Sequence, residues 1–379
     1  MKKALATILA LVMALSVTTM AWADDVAKID GTGYATLQEA VNAATAGQTI
    51  VLQDNVTLTA SLIVAGDKTV TLDLNSYKIT ADMNGPHMIC NAGNLTITDS
   101  SANKTGEIAK IGAETNFGYV IENHGTMTLD RCKISSTSVK SSAIENGWYT
   151  ASENTARTSC TMTIQNAEVV SVNAAGGLYT VKNDDYGVMV INGGVFTNGV
   201  AGAGAVLNWN DLTINGGTFT GASAVRTLKS GSNDFETGKS QIKNGTFNGG
   251  IDTLDGYKTG ITIAVTGGTF STDVTGYLGE GKVLQKNGDT YTAVTNSAIT
   301  SGTYTSEPTV PSGYKATKND DGTWTVSKVS YYYYQPTTDT KATDTKGSPK
   351  TFDAGIALYV GMALTSAAGV AFVGKKRED

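Results

Sequence analysis

The most constraining feature of this chain is a pair of apolar residues, five positions apart, that recurs seven times between residues 129 and 304. The first residue is aliphatic, the second is mostly aromatic, and glycine usually lies between them. The pairs are Leu129 and Ile134, Ile164 and Val169, Ile191 and Phe196, Ile214 and Phe219, Ile242 and Phe247, Val265 and Phe270, and Ile299 and Tyr304. A repeat this short cannot bury its own apolar face, so each copy must stack on its neighbours. The pattern predicts a β-solenoid with loops of variable length.

A second repeated pattern stands before several of the apolar pairs. It is a short apolar run that ends in asparagine. The runs are Met88 to Asn91, Val120 to Asn123, Ala143 to Asn146 and Val206 to Asn208. Asn91, Asn123 and Asn208 each lie six residues before the aliphatic residue of the next strand. Because asparagine tolerates a sharp corner and can stack through its amide, we expect an asparagine ladder along the solenoid axis. The alternative is that asparagine occurs here only because it favours turns.

Composition and local patterning favour an all-β fold with a helical N-terminal cap. The chain has 43 glycines and only 5 prolines, and Thr69 to Leu74 alternates with the period of two that strands show. Thr36 and Glu39 form a capping-box pattern at the start of a short amphipathic segment that reaches Ala44. We therefore expect a cap over residues 24–48 and a solenoid over residues 49–306, because an uncovered first coil would expose an unpaired strand edge.

The N-terminus has the three zones of a secretory signal peptide. Lys2 and Lys3 precede an uncharged stretch, and Ala21 and Ala23 form a small-residue cleavage site. We expect residues 1–23 to be removed after Ala23, so that the protein is exported. The alternative is that this segment stays as a membrane anchor.

The C-terminus predicts a membrane span. Residues 354–374 are 21 residues without charge, followed by Lys375, Lys376 and Arg377. At about 1.5 Å per residue a helix of this length spans about 30 Å, the thickness of a bilayer core, and the basic cluster orients it positive-inside.

The segment before this span is Ser348, Pro349, Lys350, Thr351 and Phe352. Together with the apolar span and the basic tail, residues 348–379 resemble the sorting signal of Gram-positive cell-wall proteins. The resemblance implies that a sortase thiolate attacks the Thr351 carbonyl, and that an amine of the peptidoglycan precursor resolves the acyl-enzyme. Ser348 and Phe352 depart from the commonest pattern, which has leucine and glycine there. If the segment is not cleaved, the span remains a transmembrane anchor.

Two related modules lie between the solenoid and the anchor. A first hairpin module is predicted near residues 267–294 and a second over residues 301–334, because each contains an Asn-Gly or Asp-Gly dipeptide between alternating residues. Residues 335–347 are rich in Thr, Asp and Lys and predict a solvated stalk. Tyr331 to Tyr334 are expected to close the last module as a strand, with stacking on sugars as the alternative.

The net charge and the few cysteines and histidines argue against a nucleic-acid-binding, disulfide-rich or metal-binding protein. The formal net charge is −6, so nucleic acid is not an expected partner. Cys90, Cys132 and Cys160 are an odd number for a secreted chain and are expected to be buried, with one disulfide as the alternative. His87 and His124 are the only histidines, and neither Cys nor His has a metal-ligand spacing, so we predict no metal site and no cofactor.

The repeat, the cap and the asparagine register resemble the right-handed parallel β-helix proteins of the pectate-lyase-like group. Many members of that group cleave polysaccharides with clustered carboxylates. Asp184, Asp185 and His124 are the only fragments here that are similar to such a set, and we expect the two aspartates in a solvated loop and His124 at a corner.

We therefore expect a cell-surface protein without catalytic activity that acts in adhesion, glycan binding or surface structure. One alternative is a surface-anchored polysaccharide lyase or glycoside hydrolase, in which carboxylates converge on one face of the solenoid. Another is a structural spacer that stays in the membrane.

Overall fold

The computed structural model describes residues 25–85, 87–112, 116–148, 158–172, 178–229 and 237–330. The predicted signal peptide with Ala21 and Ala23, the tyrosine run, the stalk and the whole of residues 348–379 lie outside these ranges. Among the residues described, no helix has the length and apolar character needed to cross a membrane.

The described residues contain 29 strands, numbered β1 to β29 in chain order, which join into one long and mostly parallel sheet. Successive coils pair in three ladders. The first ladder contains β3 (Gln48–Leu52), β6 (Thr69–Asp73), β9 (Asn94–Thr98), β12 (Thr126–Ser136), β14 (Cys160–Ser171), β16 (Gly187–Ile191), β19 (Asp211–Ile214), β21 (Lys239–Ile242) and β23 (Thr262–Val265).

The second ladder adds the C-terminal halves of β12 and β14 to β4 (Val56–Thr57), β7 (Lys78–Ala81), β10 (Glu107–Lys110), β17 (Gly194–Asn198), β20 (Thr218–Thr227), β22 (Thr246–Asp252) and β24 (Thr269–Phe270). The third ladder joins the C-terminal halves of β20 and β22 to β5 (Leu62–Val64), β8 (Ile89–Asn91), β11 (Ile121–Asn123), β13 (Ile144–Asn146), β15 (Tyr179–Asn183) and β18 (Gly204–Asn208). This coil-on-coil pairing is compatible with a β-helix.

The predicted apolar pairs form two continuous buried columns. The aliphatic members, from Leu129 to Val265, lie in register in the first ladder, and their partners lie in register in the second. Phe196, Phe219, Phe247 and Phe270 stack with ring centroids 4.9, 5.0 and 4.9 Å apart. Each buried side chain contributes about 1.5–3 kcal/mol, and each ring pair adds about 0.5–1.5 kcal/mol.

Glycine lies two residues before each phenylalanine of the column because the backbone there needs both a positive φ and a close approach. Gly194 has φ +112°, and a Cβ at this position would lie 2.3 Å from the carbonyl oxygen of Ala167 in the previous coil. A side chain would therefore push adjacent coils apart.

The predicted asparagine ladder is confirmed and contains one more member. Nδ2 of Asn91 donates to Oδ1 of Asn123 at 2.7 Å, and the same bond links Asn123 to Asn146 at 2.7 Å. It continues from Asn146 to Asn183 and from Asn183 to Asn208, each at 2.8 Å. All five side chains are buried, so the ladder supplies hydrogen bonds that the corner would otherwise lack.

The helix α1 (Leu37–Ala43) begins with the predicted capping box between Thr36 and Glu39. Its Gln38 side chain covers the edge of β5, because the amide accepts from Ile63 N–H at 2.8 Å and donates to Ile63 C=O at 3.0 Å. Strand β1 (Ala27–Ile29) pairs antiparallel with β2 (Thr32–Tyr34) and with the edge of β3. The first coil is therefore covered in two of its ladders.

The parallel pairing ends at β24, because β26 pairs with that strand in the antiparallel direction. The strands that follow are β25 (Lys282–Asn287), β26 (Thr290–Thr295), β27 (Gly302–Tyr304), β28 (Tyr314–Lys318) and β29 (Trp324–Lys328), and a short 3₁₀ helix, Thr275–Tyr277, precedes them. β25 and β26 form one antiparallel hairpin, and β28 and β29 form another.

The seventh apolar pair differs from the prediction. Ile299 and Tyr304 lie in a separate small core with Val283 and Val326, and β27 pairs antiparallel with β25 and β29. The motif is the same, but the antiparallel strand β26 already pairs with the edge of β24, on which a further coil would stack.

Cysteine burial was predicted correctly for two residues of three. Cys132 and Cys160 are buried, but Cys90 is only partly buried because its side chain points away from the core. All three lie in the described part of the chain, and no disulfide joins any two of them.

Candidate functional site

The outward face of the third ladder carries an unusual row of side chains. The residue before each asparagine of the ladder points outward, and Arg226 and Asp252 take the same position in the next two coils. Adjacent coils bring these residues into register about 4.8 Å apart. The row consists of Cys90, Glu122, Glu145, Lys182, Leu207, Arg226 and Asp252. A charged side chain on such a face ordinarily reaches water, yet Glu145 is only 1% exposed. The middle of this row is therefore covered by other parts of the chain.

Glu145 belongs to a buried cluster of polar groups. Nζ of Lys182 lies 3.6 Å from Oε1 of Glu145 and also contacts Oδ2 of Asp184. The hydroxyl of Tyr119 donates to Oε1 of Glu145 at 2.8 Å. One ammonium group therefore holds two carboxyl groups from adjacent coils.

The surroundings of Glu145 favour its neutral form. The pKa of Glu145 is raised to about 9, mainly by burial and also by the nearby Asp184, against the opposing effects of Lys182 and Tyr119. Burial, together with Glu145, also raises the pKa of Tyr119. At neutral pH Glu145 is therefore protonated, and Lys182 contacts Asp184 beside it.

A cleft of about 350 Å³ opens beside this cluster. Its lining residues come from the turns before the third ladder and from the outward row. They are Phe117, Tyr119, Lys140, Ser141, Ser142, Leu178, Tyr179, Lys182 and Leu207. The volume lies within the range of about 300–1,000 Å³ that small-molecule sites occupy.

The chemistry of the cleft is aromatic and cationic. Phe117 is 45% exposed and packs edge-on against the ring of Tyr119, with centroids 5.0 Å apart. The guanidinium of Arg226 lies 5.8 Å from the ring centre of Tyr179, and Arg226 also forms two hydrogen bonds with Asp252. Lys182 lines the cleft, whereas the carboxyl groups of Glu145 and Asp184 do not. The cleft is thus lined by aromatic residues and by two lysines, and Glu145 and Asp184 lie behind Lys182.

A slightly larger hollow, about 370 Å³, lies between the cap and the first coil. Residues 35–38 and 55–62 line most of it, and none of its lining side chains is charged. It therefore offers fewer groups that could orient a ligand than the smaller cleft does.

The three sequence-predicted candidates do not form one constellation. Asp184 and Asp185 are 4% and 3% exposed, so the expectation of a solvated loop was wrong. The reason is that Trp148, one coil earlier, covers this turn and donates its backbone N–H to Asp185 C=O at 3.0 Å. His124 lies at a corner, as expected, and its ring stacks on Trp148 with centroids 3.7 Å apart. Asp184 contacts Lys182, whereas His124 contacts Glu122 at 3.9 Å.

Sequence reasoning missed Tyr119, Glu145 and Lys182. A signal was present for two of them, because Glu122, Glu145 and Lys182 each directly precede an asparagine of the ladder. Charged residues at the same phase of successive coils must lie side by side. No such signal marked Tyr119, which reaches the cluster from the turn before β11.

Comparisons of this chain with protein families, with curated proteins and with solved structures found no match.

Proposed function

We propose that this chain is a protein of the Gram-positive cell surface that binds carbohydrate, without cleaving it, in the cleft beside Lys182. The observation that carries the proposal is that aromatic and basic residues line the cleft, whereas the two acidic residues nearby are buried. Phe117, Lys140 and Lys182 line the open volume, whereas Glu145 and Asp184 are buried and paired with Lys182. Aromatic faces with a few hydrogen-bond donors are suited to sugar rings, while sequestered acids are poorly placed to transfer protons to a substrate.

Surface display is supported by the sequence at both ends. We propose cleavage after Ala23, sortase acyl transfer at Thr351, and a membrane-anchored precursor held by residues 354–374 before its attachment to peptidoglycan. We further propose that the coils form a right-handed β-helix similar to the pectate-lyase-like group. Mass spectrometry of wall fragments tests attachment, with a peptide ending at Thr351 and joined to peptidoglycan as the expected result.

Binding is tested on the full-length chain in mild detergent, first with a glycan array and then by calorimetry with the best oligosaccharide. Phe117→Ala is expected to weaken binding about tenfold, or about 1.4 kcal/mol. Tyr257→Ala is the matched control, because Tyr257 is similarly exposed at 42% but does not line the cleft. An equal loss in both variants, or no glycan bound at all, would refute the proposed site.

A second candidate function is polysaccharide hydrolysis or elimination, which the convergence of Glu145 and Asp184 on Lys182 favours. It predicts new reducing or unsaturated ends from the bound polysaccharide, and their loss in Glu145→Gln and in Asp184→Asn. If wild-type protein binds the glycan and releases no such ends, the non-catalytic proposal stands.

A further inference from the structure

His87 packs against the aromatic residues that line the cleft. Its ring stacks on the Tyr119 ring, with centroids 5.1 Å apart and planes inclined by 13°. Phe117 meets the His87 ring edge-on, with centroids 6.4 Å apart and planes inclined by 88°. Phe117 and Tyr119 line the cleft, whereas His87 does not. Three rings from two adjacent coils therefore pack as one group, and the member outside the cleft lining is a side chain that titrates near neutral pH.

A hydrogen bond fixes which nitrogen of the neutral His87 ring carries the proton. Nδ1 accepts the Tyr119 backbone N–H at 2.9 Å, so the proton of the neutral ring is on Nε2. Nε2 lies 3.3 Å from Oε1 of Glu122. The side chains of His87 and Glu122 are 24% and 19% exposed, so solvent reaches both.

The turn that carries the two cleft aromatics is also held by bonds of another kind. The Gly118 N–H donates to Oγ of Ser141 at 2.7 Å, and Nζ of Lys110 donates to the Gly118 carbonyl at 3.1 Å. A hydroxyl and a carbonyl are acceptors that do not gain a proton at mildly acidic pH. The bond from Tyr119 to His87 is different, because its acceptor is a base.

Protonation of His87 is incompatible with that bond. The added proton occupies Nδ1, so two N–H groups then point at each other, and either the ring or the Tyr119 backbone must move. The Glu122 carboxylate beside Nε2 attracts the added charge. Gain of a proton at His87 and displacement of the turn therefore occur together.

We propose that His87 is a positioning residue for the cleft, and that its protonation weakens carbohydrate binding by releasing the turn of Phe117 and Tyr119. This inference rests on the proposed carbohydrate site. The sign follows from linkage, because the arrangement that binds carbohydrate needs a neutral His87. Affinity is therefore highest above the titration of His87 and falls as the pH drops through it. By reciprocity, bound carbohydrate moves that titration to lower pH.

Other titratable groups around His87 behave differently at mildly acidic pH. Tyr119 keeps its proton, because burial raises its pKa. The thiol of Cys90, which hydrogen-bonds Glu122, also keeps its proton, because its pKa is raised to about 12, mainly by burial. His124 lies 3.9 Å from the same Glu122 oxygen but does not line the cleft, so it serves as the control histidine.

The binding test uses the full-length chain in mild detergent and the oligosaccharide selected on the glycan array, at about pH 7.5 and about pH 5.5. We expect the wild type to bind about tenfold more weakly at the lower pH. His87→Asn should bind alike at both pH values, because Oδ1 of asparagine can replace Nδ1 as an acceptor and does not titrate. His87→Ala should bind about tenfold more weakly at both. His124→Asn is the matched control and should keep the full pH dependence.

NMR of the two histidine rings supplies a readout that a merely structural role would not move. The chain has two histidines, so isotope-labelled histidine gives two ring signals, which His124→Asn assigns. We expect His87 to be the Nε2–H tautomer at neutral pH, with a titration that moves to lower pH when carbohydrate binds. Glu122→Gln should also move it to lower pH, because a neighbouring negative charge is lost.

The outcomes separate this inference from the proposed function. Equal wild-type affinity at both pH values, an Nδ1–H tautomer of His87, or unchanged pH dependence in folded His87→Asn would overturn the role of His87 while the carbohydrate site stands. Absence of binding at either pH would refute the proposed function, and this inference with it. Circular dichroism checks the fold of each variant, and the wild-type comparison requires no variant.

Discussion

The first and third ladders share one coil geometry but differ on their outward faces. The first presents Thr71, Thr96, Thr128 and Thr163 in register, all partly exposed and chemically alike. The third presents a thiol, two carboxyl groups and an ammonium group in the same kind of row. The turns before the third ladder lie over this row and contribute Tyr119 and Phe117. Stacking therefore fixes the interior of every ladder, whereas distinctive chemistry occurs where turns cover an outward face.

The largest expected difference between the two faces concerns Lys182. Lys182→Met removes the cation that holds Glu145 and Asp184, and an uncompensated buried charge costs about 3–5 kcal/mol of unfolding free energy. The matched change on the first ladder, Thr163→Val, should stay within about 0.5 kcal/mol. Urea unfolding measures both, and equal effects would show that the cluster is not a buried ion pair.

A substitution of Asn146 tests how much the asparagine ladder, at the corner between these two faces, contributes to stability. Its amide donates to Asn183 and accepts from Asn123, so Asn146→Ala removes two buried hydrogen bonds and leaves Oδ1 of Asn183 an unpaired buried group. Such a group costs about 1–3 kcal/mol, and we expect a total loss of about 2–3 kcal/mol in urea unfolding. Asn192→Ala removes an amide pair that is exposed and should change stability by less than about 0.5 kcal/mol. A neutral Asn146→Ala would mean that the ladder contributes nothing to stability.

A pH dependence of stability is also expected for the third ladder and not for the first. Tyr119, Lys182 and Asp184 face Glu145, and Glu122 precedes it in the row. Because the folded-state pKa of Glu145 is raised from 4.5 to about 9, its proton stabilises the fold fully below pH 4.5, and this contribution is lost as the pH rises to about 9. Relative to Glu145→Gln, the unfolding free energy of the wild type should therefore fall over that window. Parallel curves for the two proteins would place the Glu145 pKa near its ordinary value.

The buried interior was predictable from the sequence because apolar residues must recur at the same position of every coil. Each aliphatic residue and its partner must face inward in every coil, so counting positions predicted the first two ladders. Asn183 was missed because Lys182 interrupts the apolar run before it. The asparagine itself nevertheless aligns with Asn146 and Asn208 in the adjacent coils. The cluster could not be predicted without the register across loops of unequal length, which brings Glu145 beside Lys182. Ile299 and Tyr304 show the limit of the motif, since an antiparallel strand can take the edge that a further coil needs.

The position of Gln38 affects whether a second molecule can pair with the edge of β5. Its amide group occupies both backbone groups of Ile63 that a strand from a second molecule would use. The third-ladder edge of the first coil is thus closed at Ile63 to a strand from a second molecule. At this edge, one glutamine side chain does the work that a further strand would otherwise do.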